Sequence, residues 1–195
     1  MRFLPAANFN GSAPTLTVRL IESPTTVTTA ATLDVSSNGG TTAISAGTVV
    51  LSTSITAVND APVASGSATL TAVNEDSTNP SGATVTTLFG GNFSDSTDAV
   101  TGGSSANTLA GIAITGYTRD AAKGEWQYST NGTNWTDISS SITGDSAAVT
   151  FKSADFLRFL PAANFNGSAP TLTVRLIESP TTVTTAATLN VSSNG

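Results

Sequence analysis

Apolar residues in this chain recur mostly at every second position, broken by polar turns. Residues 15–22 set Leu16, Val18 and Leu20 on one side of an extended segment, the pattern of a strand with one covered face. The same reading predicts strands over 68–73, 84–89, 125–130, 133–138, 147–151 and 156–160, and shorter ones over 2–4 and 31–36. Residues 48–58 and 109–118 are richer in apolar side chains and predict longer strands, the second with Ile112 and Ile114 turned inward. No stretch of ten or more residues carries the apolar period of a helix. Asn and Gly punctuate the strands, and Asn131-Gly132 is the strongest short hairpin signal. Short strands at this spacing predict an all-β fold, an antiparallel β-sandwich.

Laid over itself, the chain repeats. Residues 158–195 match residues 2–39 letter for letter, except that Asp34 becomes Asn190, so the period is 158 − 2 = 156 residues. Identity that extends to surface positions marks recent duplication and a slice of a tandem array. The exchanged position also shows that a carboxylate there is dispensable to the fold. Asn59-Asp60-Ala61-Pro62 interrupts the strand pattern, because Pro62 cannot continue a ladder and biases Ala61 to extended backbone. The expected organisation is therefore 1–58 as the later part of one repeat, 59–62 as a linker, and 63–195 as the next repeat without its last strand. Met1 falls where Leu157 falls in the second copy, as expected of a start inside a repeat. Half a sandwich cannot bury both faces, so the surplus half predicts strand exchange between chains, as a swapped dimer or a head-to-tail fibre.

Composition narrows the function. The net charge is −6, with 13 Asp and Glu against 7 Lys and Arg, which disfavours nucleic acid and anionic membranes and suits divalent cations. The chain has no His and no Cys, which removes the usual general base and ordinary zinc sites. No apolar run of 18 residues is present to span a membrane. Asp and Glu fall in turns with no aromatic cleft around them, so the expectation is that the chain is not an enzyme.

Four segments carry a resemblance: ITAVNDAPV at 55–63, TAVNEDS at 71–77, FLPAANFNGS at 159–168 and again at 3–12, and GEWQYSTNGTNW at 124–135. In this order they resemble the cadherin-like or immunoglobulin-like tandem repeats of large bacterial RTX-type surface adhesins. The resemblance implies an extracellular, cell-surface spacer stiffened by calcium between repeats, its neighbours being repeats of the same chain or identical chains. The chain departs from that family in having no alternating run of Asp.

Two constellations are candidates. Asn59 and Asp60, Glu75 and Asp76, and Asp95 and Asp98 lie in three segments that meet if their loops share one end of a sandwich, and calcium takes six to eight such oxygens. The plainer reading is that these are turn residues capping backbone donors. Trp126, Tyr128 and Trp135 are candidates for a sugar-binding platform, against the plainer reading of cross-strand packing. The competing functions are thus a glycan- or receptor-binding module and a filament subunit assembled by strand donation.

Overall fold

The computed structural model describes residues 1–23, 25–138 and 140–193. Pro24, expected to redirect the chain after 15–22, and the last two residues of the second copy lie outside the described residues. Among the described residues, paired strands are antiparallel and occur with one short α-helix and two turns of 3-10 helix, so the chain is all-β. It forms two compact units, the first comprising 1–58 with 100–104, the second 59–99 with the residues from 105 onward. Residues 100–104 join the first unit through a reciprocal pair of bonds. Asn10 Nδ2 donates to Ser104 Oγ at 2.9 Å, and the Ser104 N–H donates to Asn10 Oδ1 at 2.6 Å. The segment 59–62, expected as a linker, is grouped with the second unit, where Asn59 and Asp60 are bonded (below).

In the first unit β1 (Gly11–Ser12) pairs with β4 (Ser54–Ile55), and β2 (Leu16–Val18) pairs with β3 (Val49–Leu51). The strand expected over 48–58 is thus broken at residues 52–53, and those expected over 2–4 and 31–36 do not form. Two-stranded pairs bury little, and Leu16, Leu20, Val49, Val50 and Leu51 all remain exposed.

The second unit holds β5 (Val63–Ala64), β6 (Ala83–Thr84), α1 (Val85–Phe89), β7 (Phe93–Ser94), β8 (Leu109–Tyr117), β9 (Gly124–Ser129), β10 (Thr136–Asp137), β11 (Ile142–Thr143), β12 (Ala148–Lys152), β13 (Phe156–Pro161), β14 (Leu172–Glu178) and β15 (Ala187–Leu189). One sheet runs β10-β9-β13-β6. The other runs β11-β8-β12-β15, with β14 also paired to β8, and β5 pairs with β7 separately. The core draws on both sheets: Ile112, Ile114 and Phe151 from one, Leu157 from the other, and Val85 from α1. The Tyr128 ring of the first sheet lies 5.0 Å from that of Phe151 in the second. Gly111 lets β8 close on β12, since a Cβ there would sit 2.2 Å from the Phe151 carbonyl oxygen.

Three expectations are corrected. The strand expected over 84–89 gives way after Thr84 to the helix Val85–Phe89, because Thr84 Oγ1 accepts the Thr87 N–H at 3.1 Å and caps α1. Residues 68–73 form no strand. The Asn131-Gly132 signal makes a wider loop than a two-residue hairpin, since Tyr128 pairs with Thr136. Within it Asn131 Oδ1 accepts the N–H groups of Thr133 and Asn134, and Ser129 Oγ accepts that of Gly132.

Candidate functional site

Four of the six candidate ligands are drawn into one network at the start of the second unit. Asn59 Nδ2 donates to Glu178 Oε1 at 2.6 Å, and Asn59 Oδ1 accepts from Asn107 Nδ2 at 2.7 Å. The Asn107 N–H donates to Asp95 Oδ2, and the Asp60 N–H is shared by both carboxylate oxygens of Asp98 at 3.2 Å. Local structure explains the convergence. β7 delivers the chain to Asp95 and Asp98, while Asn107 and Thr108 precede β8. Glu178 ends β14 and pairs with Leu109 across a bulge. Ser179 and Thr108 then clamp the two strand ends, the Ser179 N–H donating to the Thr108 carbonyl at 2.8 Å.

Asp95, Asp98 and Glu178 are each at least nine-tenths buried, at 5%, 7% and 8% exposure. Among the described residues Asp95 Oδ1 and Glu178 Oε2 have no hydrogen-bond partner. Among the described residues no Lys or Arg forms an ion pair with either of these two side chains. A buried carboxylate oxygen without donor or cation is costly, by several kcal/mol in order of magnitude. Such an oxygen is a reason to look for a ligand. The donor set is all oxygen and bears three carboxylates, the chemistry of a hard divalent cation. Among the described residues, no three acidic side chains converge as closely as the ligands of one ion. Amide bonds from Asn59 and Asn107 stand between the carboxylates instead.

Glu75 and Asp76 fall elsewhere. Both are exposed: Asp76 Oδ1 accepts the Asn164 N–H at 2.7 Å, and Glu75 Oε2 accepts from Asn166 Nδ2 at 3.1 Å. They hold the Asn/Gly turn of the duplicated stretch and are not brought to Asp95 or Glu178 by any bond. Glu178 and Asn107 were not among the sequence candidates. The available signal was a carboxylate ending an alternating strand, since Leu172, Val174 and Leu176 lead directly to Glu178.

The aromatic trio is divided between two faces of its sheet. Trp126 packs edge-on against Phe159 at 5.5 Å, and its Nε1–H donates to the Pro170 carbonyl at 2.6 Å. Tyr128 leans on the core through Phe151. Trp135 lies under the guanidinium of Arg158, 4.1 Å from Cζ to the ring centre. Arg158 is itself buried, donating to Gln127 Oε1 and Asn79 Oδ1 at 2.7 Å and to the Pro80 carbonyl at 3.1 Å. Burial lowers its pKa from the usual arginine value, with Asp137 opposing the shift. No three-ring platform forms.

No protein family, curated protein or solved structure matches the chain, so the functional reading rests on its own residues and geometry.

Proposed function

We propose that the chain is part of a tandem-repeat spacer from a secreted bacterial surface adhesin, its units cadherin-like or immunoglobulin-like sandwiches. In this reading it performs no chemistry, and its work is to hold length. Calcium is the ion that suits the site at the start of the second unit. Asp95 and Glu178 would hold it, with amide and main-chain oxygens from Asn59, Asp60 and Asn107 completing the set. The ion supplies positive charge to Asp95 and Glu178, which form no ion pair among the described residues, and so fixes the segment 59–62 where the second unit begins. The observation that supports this most is the pair of buried, unpartnered oxygens, Asp95 Oδ1 and Glu178 Oε2. The near-identical copies fit the same role, because a rod can change length by gaining or losing units without redesigning any surface.

Both Trp residues lie in the second unit, so tryptophan fluorescence reports its unfolding. Calcium at a hundred times its dissociation constant should stabilise that unit by about 2.7 kcal/mol, an increment that a chelator removes. Glu178→Gln should abolish the increment, and Glu22→Gln, the same letter in the other copy, should leave it. A melting temperature indifferent to calcium and chelator would defeat the calcium reading.

A further inference from the structure

The second unit contains an apolar groove of about 1070 Å³, larger than the ~300–1,000 Å³ of most small-molecule pockets. Both sheets line it, through Trp126, Leu157 and Phe159 on one side and Leu172, Val174 and Leu176 on the other. Among the described residues β14 has one strand neighbour, β8. Residues 65–75 also line the trough but form no strand pairing with β14, so main-chain bonding capacity remains along it, the requirement for accepting an added strand.

The first unit shows what sits against these residues when they occur in the other copy. There Gly11↔Ile55, Ser12↔Ser54, Leu16↔Leu51, Thr17↔Val50 and Val18↔Val49 are paired. Moved by the 156-residue period, the acceptor positions become Gly167, Ser168, Leu172, Thr173 and Val174. All five line the groove. The donor is poorly covered where it is, with Val49, Val50 and Leu51 at 51%, 59% and 55% exposure.

We infer that the groove is a strand-acceptor site that takes residues 48–55 of a second copy of this chain, in the register that β3 and β4 show against β2 and β1. The chain's own segment does not reach. In that register Ile55 lies opposite Gly167, beyond the far end of β14, while Asn59 is bonded to Glu178 at its near end. β14 alone is seven residues long, about 20 Å at ~3.3 Å per residue. The stretch from Ile55 to Asn59 covers at most about 14 Å. Transfer from a half-exposed two-stranded pair to a trough between two sheets gains apolar burial, which drives association. Reciprocal donation closes a dimer, and one-way donation propagates a fibre. This inference is independent of the calcium reading.

The chain's lack of Cys makes the register testable by cross-linking. Val50 and Thr173 are both exposed, so replacing them disturbs no core. Val50→Cys protein mixed with Thr173→Cys protein under mild oxidation should give a disulfide-linked pair of chains, in large excess over Val50→Cys mixed with Thr133→Cys. Light scattering of the unaltered protein should show mass rising with concentration. Val50→Pro, which removes a ladder donor from the donated strand, should return it to monomer. A free peptide TVVLSTSI should do the same by filling the groove. Monomer at every concentration, no excess of the 50–173 link, or that link forming within single chains of the double variant would each overturn the inference.

Discussion

Residues 2–37 and 158–193 have nearly the same letters and different structures. In the first copy Phe3 and Leu4 are exposed coil, and among the described residues the stretch that follows forms only the short strands Gly11–Ser12 and Leu16–Val18. In the second, the same letters give β13 and β14, with Phe159 and Arg158 buried. Their turns nevertheless agree. Asn8 and Asn164 have φ of 59° and 57°, and Ala30 and Ala186 have 58° and 55°. The Phe9 and Phe165 N–H groups donate to Ala6 and Ala162 at 3.2 and 3.1 Å. The difference isolates what each kind of structure needs. A turn closes on its own side chains and main chain. A strand needs a neighbour, and residues 109–157 supply it to one copy only.

The comparison is sharpened most by Phe159→Ala against Phe3→Ala. Emptying the place of Phe159 beside Trp126 should cost the second unit about 3–5 kcal/mol in urea unfolding followed by tryptophan fluorescence. Phe3→Ala should leave that transition where it is. Equal losses would mean that the first copy is covered as fully as the second.

Next in size is Arg158→Ala against Arg2→Ala. Loss of the buried guanidinium leaves Gln127, Asn79 and the Pro80 carbonyl without their donor and removes the stack on Trp135. The expected cost is about 2–4 kcal/mol. Arg2 is exposed, and its removal should stay within about 0.5 kcal/mol. A cost below 1 kcal/mol for Arg158→Ala would show that water replaces those bonds.

The smallest contrast is in acid. Arg175 pairs with Asp145, and the hydrogen bond from Arg175 holds the Asp145 carboxyl below its usual 3.8. The corresponding Arg19 donates instead to the Ser45 and Ala46 carbonyls. A depressed folded-state pKa contributes stability that is complete above the unfolded value and is lost as pH falls through the folded one. Below about pH 4 the second unit should therefore lose a small increment, reduced because the pair is open to solvent. Asp145→Asn should remove that part of the acid sensitivity. An unchanged acid profile in the variant would show that the pair contributes nothing measurable.

Much of the fold was legible because central strands declare themselves. β8, β9, β12 and β13 fall within a residue or two of where alternation and apolar runs put them. Turn residues were equally plain, since Asn and Gly carry their own reason for positive φ. Residues 68–73 alternate as a strand should and are not one, because periodicity reports only a willingness to pair. Thr84–Phe89 reads as β-branched strand, but the cap from Thr84 to Thr87 turns it helical. At the candidate site, sequence picked out Asn59, Asp60, Asp95 and Asp98 from their turns. It passed over Glu178, whose burial depends on β8 lying beside β14, 69 positions away along the pairing with Leu109 (178 − 109).

The lone letter that differs between the copies has a consequence of its own. Asp34 Oδ1 accepts the Ser36 N–H at 2.9 Å, and Asn190 Oδ1 accepts the Ser192 N–H at 3.0 Å. The swap removes one negative charge and keeps the oxygen that shapes the bend. If such units are joined in an array, its electrostatic self-repulsion can drift by one elementary charge per unit while this bend is kept.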